Sequence, residues 1–77
     1  MKIKKWIKNG KPTEPCIFIT RVKNSNLNYR YVVYELNFKF IIDCEELVFM
    51  NANDKSGHIH FDDFYASEYF IIEKLKK

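Results

Sequence analysis

An α+β fold, with a short N-terminal helix packed on a strongly bent antiparallel sheet, is what this 77-residue sequence predicts. Three observations predict it. Ile3, Trp6 and Ile7 recur at i, i+3 and i+4 among lysines, the spacing of one apolar helix face. Runs rich in Ile, Val, Phe, Thr and Tyr then follow, separated by amide-rich or glycine-bearing stretches that read as turns. The connections between those runs are short, which allows only a meander or a small SH3-like barrel. The stretch 51–77 organises the rest, because its apolar run Tyr69-Phe70-Ile71-Ile72 needs a surface that everything upstream must supply.

Taken in order, residues 2–9 read as a helix of about two turns, with Gly10 as its left-handed C-cap and Pro12 forbidding continuation. Trp6 then anchors the helix in the core, with ligand stacking as the alternative use of its indole. Residues 16–22 are the first strand and the amides and hydroxyl of 24–28 a loop. Residues 29–38 form the second and longest strand. Its even positions Val32, Tyr34, Leu36 and Phe38 point inward. Residues 38–43 and 46–51 read as two strand segments about an Asp-Cys-Glu-Glu turn. The polar turn 51–57 joins the second of them to His58-Ile59-His60-Phe61. Asp62 is placed to cap a helical turn over 63–67, and residues 69–75 close the sheet.

Composition bounds the function. A chain this short is one domain, spanning 1–77, and cores of this size supply only about 3–5 kcal/mol. Rings make up 17% of it, which is how so short a chain assembles a core at all. Cys16 and Cys44 are too few for a disulfide framework. No secretory leader or membrane-spanning run is read, so a reducing cytoplasm is the expected compartment. The net charge of +3 conceals an asymmetry: residues 1–30 hold eight Lys and Arg against Glu14 alone (+7), residues 31–77 five lysines against nine acids (−4). The basic front half suits an anionic partner; the bland reading is that the two halves complement each other.

No constellation in the chain reads as catalytic. His58-x-His60-x-Asp62 puts three potential metal ligands on one strand face without a clear fourth, and solvated polar residues beside a turn are the better reading. Asp62-Asp63 are adjacent, so their carboxylates diverge instead of facing a common space. Neither cysteine sits in an activating context, and the 51–57 turn lacks the order of a calcium loop. The lysines of the front half with Trp6, Tyr29 and Tyr31 could make a basic platform for nucleic acid. The expectation is a binding protein, not an enzyme, with no cofactor.

The opening Lys5-Trp6-Ile7-Lys8-Asn9-Gly10-Lys11 and the ending from Phe61 through Asp62-Asp63 and Tyr69-Phe70-Ile71-Ile72 to Glu73 resemble small phage-encoded proteins that include the anti-Thoeris sponges. The resemblance implies a homo-oligomer that counters a bacterial defence by trapping a cyclic nucleotide signal. The residues expected to serve such a ligand are Lys11 and Arg21 as phosphate partners and Tyr65 and Tyr69 as stacking groups. The alternative partner is a host or defence protein, such as one of a CRISPR system, covered by exposed rings and a free strand edge. Nucleic acid bound through the basic N-terminal half is the third reading.

Overall fold

Alternation with a period of two, not helical spacing, governs the described residues from the first strand onward. The computed structural model describes residues 5–75. It contains strands β1 (Ile7–Gly10), β2 (Cys16–Lys23), β3 (Tyr29–Ile41), β4 (Cys44–Asn51), β5 (Asp54–His60) and β6 (Ala66–Lys74), with a 3₁₀ turn at Phe61–Asp63. They form one antiparallel sheet in the order β1-β6-β2-β3-β4-β5. There is no α-helix among the described residues, so the α+β expectation is corrected to an all-β sheet. The predicted helix falls partly on residues outside those described. Of its described part, 5–9, the last three residues belong to β1, which pairs with β6 through Ile7–Tyr69, Lys8–Glu68 and Gly10–Ala66.

The physical reason is that a two-turn helix cannot pay for its own nucleation, whereas β6, paired with β2 on one side alone, would leave a row of unpaired amides and carbonyls on the other. Gly10 does not cap anything. Asn9 takes the left-handed conformation instead (φ 58°), which asparagine tolerates better than most residues, and its side-chain oxygen accepts the Tyr65 hydroxyl at 3.0 Å.

β2 and the 24–28 loop follow expectation. The Asn24 side-chain oxygen accepts the amides of Asn26 (2.9 Å) and Asn28 (3.1 Å), closing the loop and setting the register Lys23–Tyr29, Arg21–Tyr31 and Thr20–Val32. β3 does not stop at Phe38. It runs unbroken to Ile41, and the turn is the two residues Ile42 and Asp43, not Asp-Cys-Glu-Glu. The polar turn 51–57 shrinks likewise to Ala52 and Asn53, with β5 already begun at Asp54. Asp62 caps no helix: it lies inside the 3₁₀ turn that His60 precedes without a side-chain cap, and β6 starts three residues earlier than predicted.

Ile42 sits at φ 56° with 87% of its surface exposed, a conformation that costs a β-branched residue on the order of 1–2 kcal/mol. Ile42→Gly is therefore expected to raise the unfolding free energy by about 1 kcal/mol, after the extra entropy of glycine in the unfolded chain is subtracted. Urea denaturation of the two proteins checks it.

One sheet face carries the core. Cys16 and Phe18 of β2, Leu36 of β3, Phe49 of β4 and Ala66 and Tyr69 of β6 are buried there, and Phe64 from the β5–β6 connector roofs them. Phe18 is the hub, with ring centroids 5.6–6.0 Å from Tyr34, Phe49, Phe64 and Tyr69. Phe64 stacks on Phe49 at 4.0 Å. Tyr34 and Leu36 do face inward, as the even positions of β3 were expected to. The opposite face also closes over β3 and β4, burying Val48, Met50 and the carboxylate of Glu35. Glu35 receives Lys55 at 2.7 Å and the Asn37 side-chain amide at 2.9 Å, and these donors, Lys55 first, hold its carboxyl below the usual carboxylate range. Both cysteines are free, Cys16 in the core and Cys44 exposed beside the β3–β4 turn.

Candidate functional site

Two places among the described residues, one on each side of the sheet, bear on the expected ligand. On the side away from the core, the β2–β3 register sets Arg21 opposite Tyr31, and the β2–β6 register sets Arg21 opposite Glu68. Trp6, just before β1, reaches the same spot. The Arg21 guanidinium is sandwiched between the rings of Trp6 and Tyr29, 4.4 Å from each centroid. It donates through Nε and a terminal nitrogen to the two oxygens of Glu68 at 3.1 and 3.0 Å. The pair is mutually tuned: the hydrogen bond raises the Arg21 pKa and lowers that of Glu68.

Tyr31 completes the patch, 6.2 Å from both Trp6 and Tyr29, with 53% of its surface exposed. Lys8, paired with Glu68 in register, and Lys23, paired with Tyr29, flank it. Trp6 is thus half-buried over Arg21 and does not belong to the core cluster it was expected to anchor. The geometry is that of a ring surface stiffened by a trapped cation, with lysine charge at its margin.

The second place is a cleft of about 400 Å³ on the core side, where the inward face of β2 and β3 continues past the Phe64 roof. Its floor is Thr20, Val22, Val32 and Phe64, with Arg30 and Tyr65 among its lining. The Thr20 hydroxyl donates to the Val32 carbonyl at 3.2 Å, so the floor makes no polar demand of an occupant.

The four residues expected to grip a ligand are not gathered by the fold. Lys11 and Tyr69 line one hollow of about 290 Å³, Tyr65 lines the larger cleft, and Arg21 lies across the sheet from both. Lys11 is engaged already, its ammonium donating to the Phe61 carbonyl and resting 4.2 Å from that ring's centroid. Tyr69 is a core ring with 8% exposure, whereas Tyr65 is 66% exposed. His58 and His60 meet edge to face at 5.2 Å, and His60 Nδ1 approaches Glu46 at 3.5 Å. Among the described residues no three His, Cys, Asp or Glu side chains group as metal ligands.

The patch around Arg21 was half legible. Tyr29 and Tyr31 share a face by alternation, the 24–28 loop puts Arg21 beside them, and Trp6 was grouped with the two tyrosines by residue type; what carries Trp6 there, and Glu68 to Arg21, are pairings of β6 with β1 and β2 more than 40 residues apart in sequence. No known protein family, curated protein or solved structure matches this chain. No helix among the described residues is long and apolar enough to cross a membrane.

Proposed function

We propose that this chain is a non-enzymatic binding protein for a ligand carrying a nucleobase and phosphate. The base stacks on the Trp6, Tyr29 and Tyr31 surface, and Lys8 and Lys23 take the phosphate. The observation that carries this reading is the Arg21 sandwich: a guanidinium fixed by Glu68 between two rings leaves Tyr31 exposed on a rigid, cation-polarised platform. Arg21 itself is neutralised by Glu68, so it organises the surface and the lysines supply the charge. In the setting that the terminal motifs suggest, the ligand is a cyclic nucleotide signal, and binding withdraws it from a bacterial defence system.

Calorimetric titration with cyclic mono- and dinucleotides, and separately with a single-stranded oligonucleotide, tests the reading and separates the two sources of the same chemistry. Trp6→Ala is expected to weaken the bound species about tenfold, the lower part of what one base–ring stack contributes. Absence of binding in every titration, or equal affinity of Trp6→Ala and wild type, sinks it.

A second reading, inhibition of a host or defence protein, is favoured by β5. Its seven residues are all exposed and, among the described residues, pair only with β4, which leaves its outer edge for an added strand. The register breaks between Phe49 and Asn51, which bends that edge and limits how long an added strand can run.

A further inference from the structure

We propose that copies of this chain associate head to tail, the apolar and acidic β3–β4 hairpin tip of one molecule seating in the cleft at the basic end of the next. The first observation is the tip itself. β2 reaches β3 only as far as Leu36, opposite Cys16, and β5 reaches β4 only as far as Val48, opposite His60. Past the Phe38–Leu47 pair, whose Leu47 packs against the core, the ladder from Lys39–Glu46 to Ile41–Cys44 holds β3 and β4 and no third strand among the described residues. A two-stranded ribbon gains little stability in water by itself. This one ends in Phe40, 68% exposed, and Ile42, 87% exposed and held at positive φ. Large apolar side chains presented on a strained two-residue turn are a poor arrangement for solvent and a suitable one for a hydrophobic seat.

The second observation is the seat. The floor of Thr20, Val22, Val32 and Phe64 is apolar with its one hydroxyl already satisfied, Val22 is 50% exposed, and the volume of about 400 Å³ accommodates a pair of side chains of the size of Phe40 and Ile42.

Charge selects which surface the tip finds. Asp43 and Glu45 flank the apolar tip and their carboxylates have no ion-pair or hydrogen-bond partner among the described residues, while Glu46 is shared with His60. At the opposite end Arg30 lines the cleft, and Lys23, on the other face of the sheet, adds positive charge to the same end; neither has an ion-pair partner among the described residues. The tip cannot fill the cleft of its own molecule. β3 carries both, with Arg30 near its start and Ile41 at its end, and thirteen extended residues span roughly 40 Å. That is nearly the whole 43 Å length of the molecule. The complement to the cleft is therefore a second copy, and a contact between two different surfaces propagates into a ring or an open chain.

Sedimentation velocity across a wide concentration range, at low and high salt, tests this. Mass is expected to rise with concentration and the association to weaken with salt. The double variant Phe40→Ser, Ile42→Gly should stay folded by circular dichroism and associate at least about tenfold more weakly. Arg30→Glu alone and Glu45→Arg alone should each associate poorly, whereas an equimolar mixture of the two regains mass because each cleft then meets a tip of opposite charge. A wild-type protein that stays monomeric throughout overturns the proposal. So does undiminished association of the tip variant, or a charge-swap mixture that regains nothing, the result expected if the cleft instead takes a small apolar anion or an unrelated protein.

Discussion

Phe18→Ala leaves a chain with no cooperative unfolding transition at room temperature. Phe18 is fully buried and its ring meets Tyr34, Phe49, Phe64 and Tyr69, which come from three strands and the β5–β6 connector. Truncating such a ring removes its transfer free energy and leaves a cavity that the four rings around it, held on separate elements, cannot jointly fill. The cost is about 3–5 kcal/mol. A core of this size supplies about the same amount in total, so the loss is not a fraction of the stability but nearly all of it. The check is a near-ultraviolet dichroism melt together with amide proton dispersion. Phe18→Leu, which keeps much of the volume, should retain a transition at lower temperature. A sharp transition in Phe18→Ala within a few degrees of wild type would show that the ring cluster is not the keystone of the fold.

Lys55→Met is expected to destabilise the protein by about 1–2 kcal/mol, because it removes the nearer of the two donors from a carboxylate that cannot recover its water. Glu35 is 8% exposed on the face opposite the core, and Lys55 reaches it at 2.7 Å from β5. The lysine itself is half in water, with 55% of its side chain exposed, which places the cost near the bottom of the range for hydrogen bonds to charged groups. The pH dependence has a definite sign. The donors lower the folded pKa of Glu35, so their contribution is present above the unfolded carboxyl pKa and is lost as pH falls through the lower folded value. The gap between Lys55→Met and wild type, read from urea midpoints, should therefore narrow on acidification. The variant carrying both Lys55→Met and Glu35→Met should regain most of the lost stability, since an apolar pair leaves no charge stranded. A gap that is constant with pH would assign the effect to packing of the lysine stem instead.

These two sites bracket what sequence reading could reach. Phe18 was legible as a strand residue on an alternating segment, and so were the even positions of β3 and the 24–28 loop, because each depends on neighbours within a few residues. Glu35 was assigned to the outward face by the same alternation, and it does face away from Phe18. Its carboxylate is met there by Lys55 of β5, a contact across twenty residues that no local period encodes. The N-terminal helix failed for a similar reason. Ile3, Trp6 and Ile7 satisfy helical spacing, yet Trp6 and Lys8 also share a strand face, and a segment this short satisfies both periods. The vacant edge of β6 decided between them. The proposed ligand residues scattered because residue types were matched to a chemistry without knowledge of which side of which strand they would occupy. Arg21 ended beside Trp6, Tyr29 and Glu68, and Tyr69 ended in the core.

By itself the sequence determined a chain rich in rings, the position of β2 and of the loop that follows it, the inward row on β3, and a front half that is basic with an acidic half behind. Those are properties of composition and of contacts between near neighbours. The tertiary structure alone decided that β6 inserts between β1 and β2, that Glu68 meets Arg21 under Trp6, and that a strained apolar turn and an apolar cleft stand at opposite ends of the molecule. Each of these depends on which strand edge remains unpaired once the local hairpins have formed. That is settled by satisfying backbone hydrogen bonds across the whole sheet, and no window of sequence contains it.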